Sequence, residues 1–464
     1  MDPCLRKYPL VSYCSSLLFV RLGLLALLLL STASISWADS GSQATKAAPS
    51  VVGAASIQAL SLEDVLDEAY QANPFLNASR AQQQVAEGGI VLAKTRINPK
   101  INLQAAPVES TYHPIDMAVD IQLGGKRELR VRVAKFQLAS TNAQIQTMTW
   151  KIRQDTEQAF YEYGIAQKAL NVLLDYQGVA ERLVQIAKKR QVVGDVAGLD
   201  VFRAEAALLD VYSLLAPAQA RVHQAQRQLN LLMNRPLEDQ ITVIIPDTVQ
   251  LQKTPQALPS IEGLVAQAKV SRPEYKQYQA DIDTQKARVK LANAGKWPDI
   301  QLGAGISMVP QTRNHFWGEN PKYGPEMYAQ IPVPIMDHQQ GPKAIAQASA
   351  IQLVAQRKAF ENQVQQELNV AYSNLESATE QLSLYVTQIL PKQKEILTTS
   401  QQSYGLGFID ATAAITAQQT ALIARTNALQ VLTRYFQARI ELERAVGHPI
   451  DYDTAEISPE RKSS

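Results

Sequence analysis

The chain carries the same pattern twice, and this constrains its fold more than any other feature. The segment LEDVLDEA at 62–69, followed by Asn73 and Pro74, returns as IEGLVAQA at 261–268, followed by Arg272 and Pro273. Pro74 and Pro273 lie 199 positions apart, as do Pro99 and Pro298. Further on, Gly194 and Gly407, Ala204 and Ala417, and Pro236 and Pro449 are all 213 apart. Punctuation residues that keep register over both halves mark an internal duplication. The drift of 14 between the two spacings places an insertion in the strand-rich stretch of the second half.

Each half changes period in the same order. From Ala69 to Ala93 the pattern is helical, entered from Ser61 as a cap with Glu63 and Asp64 in the first turn. After Pro99 it alternates: Met117, Val119, Ile121 and Leu123 interleave with Ala118, Asp120 and Gln122. The second half has two such runs, Ile300 to Met308 and Met327 to Ile335. Period two with one apolar face predicts half-buried strands, and Pro332 and Pro334 end the last run or push it out of the sheet. Four strands cannot close a barrel, so either another layer covers the edges or identical chains complete the wall. Tyr112, Phe316, Trp317 and Tyr323 at the loop ends suit a membrane girdle and equally the loops of a soluble sandwich.

Long helices follow each hairpin. Between Glu128 and Val193 there is no proline, which allows roughly 100 Å of helix at 1.5 Å per residue. Ile145, Ile152, Ala159, Ala166, Leu173, Ala180 and Ala187 recur every seven residues, as do Leu368, Leu375, Leu382, Ile389 and Ile396. That spacing predicts coiled-coil packing. Pro217 and Pro391 predict bends. Gly194 and Gly198, then Gly405 and Gly407, mark the reversals of two helical hairpins.

The N-terminus reads as a signal peptide of residues 1–38. Arg6, Lys7 and Arg21 precede the apolar run Leu22 to Leu30, and Ala38 offers a small residue for cleavage. Cys4 and Cys14 leave with it, so the mature chain has no cysteine for disulfides, thiolate chemistry or metal binding. Cleavage leaves 42 basic and 42 acidic residues, without a basic run of the kind that binds nucleic acid. No later stretch reaches the 18 apolar residues of a membrane-spanning helix.

No catalytic constellation or cofactor motif emerges. His113, His223, His315, His338 and His448 lack ligand spacing, and His113 and His315 are expected in external loops, where solvated histidines outnumber metal ligands. Asp155 with Glu157, and Glu441 with Glu443, read as solvated helix faces. Gly124 and Gly125 are not followed by the residues of a phosphate loop.

At these residues the chain resembles the TolC-type outer-membrane efflux family, from about Leu60 to Asp451. The resemblance rests on Asn73-Pro74, on LGGKR at 123–127, and on IPVPI at 331–335 with Asp337 and Gly341. It also rests on Val193 and Gly194 with Leu199, Asp200 and Val201, and on Tyr404 with Gly407. The LGGKR run is most similar to the CzcC-like branch, which works with heavy-metal cation pumps. The resemblance implies a mostly α fold with a small β part. Duplicated long-helix coiled-coil hairpins and four β-strands per chain would complete a trimeric, 12-stranded outer-membrane β-barrel and a periplasmic α-helical tunnel.

The expected organisation is a flexible segment at 39–60, a first repeat at 61–236, a linker at 237–258, a second repeat at 259–449 and a polar tail at 450–464. Partners implied by the resemblance are two further copies of the chain, a periplasmic adaptor, an inner-membrane pump of the RND type, and outer-membrane lipid. The adaptor would dock at Val193, Gly194, Leu406 and Gly407, whose glycines also cap helices. The pore entrance would involve Asp195, Asp200, Tyr404 and Asp410. The chain departs from relatives that place aspartates in the second turn, since Ala413 and Thr416 stand there, and Gln191 replaces the first-half counterpart of Tyr404. A type I protein-secretion channel shares every feature. A periplasmic coiled-coil scaffold shares the leader and heptads but does not account for the strands.

Overall fold

The computed structural model describes residues 59–104, 112–246, 259–309 and 322–450. The expected signal peptide, His315, Phe316, Trp317 and nearly all of the polar tail lie outside these residues.

The first half opens with strand β1 (Ala59–Leu60), helices α1 (Leu62–Ala72) and α2 (Pro74–Lys94), and strands β2 (Lys100–Leu103) and β3 (Tyr112–Ile121). It continues as α3 (Lys126–Val192), α4 (Gly198–Leu232) and β4 (Thr242–Val243). The second half repeats the order with α5 (Ile261–Ser271), α6 (Pro273–Ala294), β5 (Ile300–Val309), β6 (Lys322–Gln330), α7 (Gln340–Leu384), α8 (Leu390–Gly405) and α9 (Ala411–Val446). A π-helical turn, Tyr385–Ile389, joins α7 to α8.

Local chemistry explains the boundaries. Ser61 and Asp64 form a reciprocal capping box at the start of α1, and these hydrogen bonds hold the Asp64 carboxyl below its ordinary range. Ser260 caps α5 by accepting from Gly263 N, without the reciprocal bond because a glycine stands at the third position. Asn73 and Arg272 adopt nearly identical extended backbones before Pro74 and Pro273, each of which opens a helix at its first position. The insertion of the second half also resolves into two parts. From the ends of β3 and β6 the halves are 209 apart, and from the starts of α3 and α7 they are 214 apart. The hairpin therefore takes most of the extra length, the exit segment grows from 122–125 to 331–339, and the stretch from the helix start to the tip gives one residue back, which restores the spacing of 213.

α3 runs for 67 residues, and its predicted seam is the buried one from Ile152 onward: Ile152, Ala159, Ala166, Leu173, Ala180 and Ala187 are all buried, while Ile145 at its start is half-buried. α3 and α4 form one hairpin, α8 and α9 the distal part of the other, and α3 packs on α9 to join them. α4 continues through Pro217 as one helix. In the second half Leu368, Leu375 and Leu382 are buried, but Ile389 is half-buried and Ile396 is exposed. The π turn explains this departure. It adds one residue, and the seam resumes one position later through the half-buried Leu390 and Leu397 to the fully buried Tyr404. Pro391, whose ring crowds the carbonyl four residues back, accounts for the widened turn.

Two expectations about charge and sheet require correction. Asp155 and Glu441 are solvated, but Glu157 and Glu443 are buried between α3 and α9. Arg153 Nε lies 2.8 Å from Glu157, and Arg439 Nε lies 3.0 Å from Glu443. Burial, and then the charge of Glu443, raise the Glu157 carboxyl to about 7 despite Arg153. The 237–258 stretch is more than a linker, because β4 pairs in parallel with β1. The final residues of the N-terminal segment are thereby tied into the fold.

Candidate functional site at the helix tips and the sheet

The two hairpin tips close by the same device. At the first, Asp195 N donates to Arg190 O and Gly194 N to Gln191 O, both at 2.9 Å. At the second, Phe408 N donates to Ser403 O at 2.9 Å and Gly407 N to Tyr404 O at 3.2 Å. These paired bonds satisfy the last helical carbonyls and require a left-handed residue, which Gly194 (φ 78°) and Gly407 (φ 84°) supply.

Arg190 fastens the tips together. Its Nε donates to Asp195 Oδ2 at 2.6 Å, and its Nη1 donates to the Tyr404 carbonyl at 3.0 Å. The guanidinium also stands 5.0 Å from the centre of the Tyr404 ring. Little in the sequence distinguishes Arg190. Its only signal was a basic residue in the last turn of a helix, where cations commonly sit.

The structure distributes the expected entrance residues among distinct roles. Asp410 is the N-cap of α9, its Oδ1 accepting from Ala413 N at 2.8 Å. Asp195 is engaged by Arg190. Asp200 lies in the first turn of α4, whose N-cap is Ala197, and its carboxylate is 3.5 Å from Arg203. Arg203 in turn donates to Thr412 across the two hairpins at 3.2 Å. Tyr404 does not face an opening within the chain. It is buried against Leu183, Val184, Ala204 and Ala411, because the register shift at the π turn places it on the seam. Burial raises its phenol above the ordinary range.

Around these anchors the tip surface is apolar. Val193 is 77% and Leu406 71% exposed, and Val192, Leu199, Phe202 and Phe408 are exposed beside them. An exposed apolar patch of this kind, framed by ion pairs, is a surface suited to a protein partner.

The opposite end is a four-stranded antiparallel sheet in the order β2-β3-β5-β6, so the hairpins of the two repeats meet at β3 and β5. β6 ends at Gln330, before Pro332 and Pro334, as the prolines predict. The burial of the sheet is the reverse of the expected one. Ile101, Ile115, Met117, Leu302, Ile306 and Met327 on the apolar face are exposed, Met308 at the register shift of β3 is buried, and the covered face carries the polar groups beside Ala118. On that face Asp116 accepts from Asn102 at 2.9 Å and from Tyr328 at 2.7 Å, and Asp120 accepts from Gln301 at 3.0 Å. Lys100 lies 3.0 Å from Asp120. Gly303 and Gly305 leave no room for a Cβ, one beneath the Tyr328 ring and the other against Asp116, so the sheet curls tightly around its polar side. His113, expected in a loop, is on β3, 2.7 Å from Glu326 of β6. No group of three or more His, Cys, Asp or Glu able to hold a metal occurs among the described residues.

Apolar outside and polar inside is the arrangement of a barrel strand in lipid rather than of a soluble sheet. Among the described residues, β2 and β6 each keep one unpaired edge.

The sequence profile of the family described as "Outer membrane efflux protein" matches residues 65–235 and 264–448. The cobalt-zinc-cadmium resistance protein CzcC of Cupriavidus metallidurans is 23% identical over 438 residues, 93% of this chain and 99% of CzcC. Among solved structures, CusC superposes with a TM-score of 0.67 at 16% identity, covering 83% of this chain and 92% of that one. The Neisseria gonorrhoeae MtrE outer membrane channel superposes with a TM-score of 0.66 at 16% identity, covering 85% and 90%.

Proposed function

The chain belongs to the outer membrane efflux protein family, and we propose that three copies of it form the exit duct of a tripartite efflux system. It is an outer-membrane protein with helices in the periplasm, and not an enzyme. The observation that carries the trimer is the inside-out sheet with its two bare edges. Lipid is the solvent in which an exposed apolar face is stable, but a bilayer offers no partner for unpaired backbone N–H and C=O groups. Pairing β6 of one copy with β2 of the next removes every edge and gives a twelve-stranded wall from three four-stranded sheets.

Each repeat, 61–236 and 259–449, contributes one helical hairpin to a tunnel beneath this wall. The tips at Val193, Gly194, Leu406 and Gly407 meet a periplasmic adaptor, which bridges to an inner-membrane pump of the RND type. The exposed apolar surface around Arg190 supports this docking role. The transported substrates are heavy-metal cations, a reading supported by the near end-to-end match with a cobalt-zinc-cadmium resistance protein.

Mass measurement of the detergent-solubilised protein, corrected for bound detergent, should give three chains, and a monomer in the soluble periplasmic fraction would exclude the duct. Loss of the gene should lower tolerance to cobalt, zinc or cadmium. Unchanged metal tolerance with new sensitivity to lipophilic drugs would reassign the substrate while leaving the duct intact.

A further inference from the structure

All four connections between helices and membrane-spanning strands lie at one end of the sheet. There Ile121 pairs with Ile300, Gln301 with Gln330, and Lys100 with Ala118. The connections together with the adjoining ends of the helices and of β2, residues 94–100, 122–135, 290–299 and 331–343, contain eleven lysines and arginines but only three acids. Elsewhere the mature chain is net acidic, since its totals balance at 42 each. Of the three acids, Asp299 is engaged by Lys126 at 2.8 Å, Glu128 by Arg127 at 3.3 Å, and Asp337 accepts from Gln339 N. Lys94, Arg96, Arg132, Lys135 and Lys290 are exposed and enter no ion pair among the described residues. At the same level Trp297 is 53% exposed with the Lys296 ammonium 5.8 Å from its ring centre. Ile97, Ile335 and Met336 are exposed there too, continuing the apolar face of the strands.

We propose that these junctions form a basic collar that binds the anionic head groups of phospholipids in the periplasmic leaflet of the outer membrane. The collar rests on the reading of the sheet as one third of a membrane barrel, which sets this rim where hydrocarbon gives way to head groups. Trp at that depth is an interfacial anchor, with an apolar body in the acyl region and a polar edge in the head-group layer. Bases beside it face phosphate. Each exposed base near an anionic surface strengthens partitioning by about fivefold. Three copies triple the ring. The long stems of Lys and Arg let the charges on the first helical turns reach back to the interface.

The test is lipid competition on the whole trimer. Protein is inserted into vesicles of phosphatidylethanolamine alone or mixed with phosphatidylglycerol, extracted in mild detergent, and the retained lipids are weighed by native mass spectrometry. Wild type should retain phosphatidylglycerol severalfold above its share of the vesicle, and salt should reduce the excess. Joint substitution Arg96→Gln, Arg132→Gln, Lys135→Gln, Lys290→Gln and Lys296→Gln should return the ratio to that of the vesicle. Lys188→Gln with Lys189→Gln at the distal tips should leave it unchanged. Retention that simply mirrors the vesicle in wild type, or an excess that survives the fivefold variant, overturns the collar. So does a variant that loses binding to purified peptidoglycan while keeping its lipid excess. Failure of wild type to insert into either vesicle would instead overturn the barrel.

Discussion

Arg190 Nη1 lies 3.0 Å from the backbone oxygen of Tyr404, so the last turn of α3 holds the last turn of α8. The two residues are 214 positions apart, and the same guanidinium also engages Asp195. Together with the Arg203–Thr412 bond and the buried seam around Tyr404, this arginine ties the tips of both hairpins to each other.

Arg190→Ala should loosen the tips without unfolding the helices. A charge-assisted hydrogen bond of this kind contributes about 1.5–3 kcal/mol where it is shielded from water. Amide exchange at 403–408 should accelerate by roughly tenfold or more, with the rest of α3 unaffected. Exchange equal to wild type would mean that the seam around Tyr404 alone sets tip rigidity.

Val193→Asp together with Leu406→Asp should abolish export while trimers still assemble. Both side chains are exposed and neither backbone is left-handed, so the substitutions add charge without strain. Gly194→Asp is less informative, because φ of 78° itself costs a non-glycine residue about 1 kcal/mol. Full metal tolerance in the double variant would remove the tips from the docking surface.

Asp200→Asn tests the entrance. Ala413 and Thr416 bring no charge, Asp410 is tied to a helix cap and Asp195 to Arg190. Asp200 is then the acid with the least rigid partner, 3.5 Å from Arg203. Cation preference and block by multivalent cations should fall in single-channel recordings with assembly intact. If selectivity is unchanged and only thermal stability drops, Asp200 merely favours the first turn of α4.

Glu157→Gln should stabilise the protein at alkaline pH only. Burial and Glu443 raise this carboxyl to about 7 from its ordinary 4.5, so the folded chain holds the proton more tightly than the unfolded one. That contribution to stability is complete below the unfolded pKa and is lost as pH rises through about 7. Around it are Arg153 on its own helix, Arg439 and Glu443 on α9, and the phenols of Tyr70 and Tyr161. The variant should match wild type near pH 4 and exceed it above pH 8 by about 1–3 kcal/mol in denaturant unfolding. A difference that does not vary with pH would show that Arg153 keeps the group ionised throughout.

Much of this molecule could be read from residue order. The α3 seam, the Ser61 cap, the reversals at Gly194 and Gly407 and the end of β6 before Pro332 all follow from local rules, since glycine, proline and a seven-residue period act within a turn or two of themselves. Which side of a strand faces in is a different matter. Alternation at Met117 and Val119 reveals two faces but not which solvent each meets, and lipid inverts the answer that water would give. Glu157 and Glu443 looked solvated because nothing along either helix reveals the other, and burial is decided between helices. The burial of Tyr404 within the chain is hidden in the sequence, because the extra residue of the π turn leaves only Pro391 as its trace.

That extra residue widens one turn of the second hairpin without turning the seam beyond it away from its partners. A helix threaded through a long seam normally tolerates no change of length, since a single deletion turns every later side chain away from its partner. Here the surplus is stored in one loop of the ladder, where Leu390 N reaches back to Tyr385 O. Removing Thr387 together with Pro391→Ala should let the helix close as an ordinary spiral, with Leu397 and Tyr404 still seated. The same deletion made in α3, whose seam has no slack, should unseat everything from the cut to Val192.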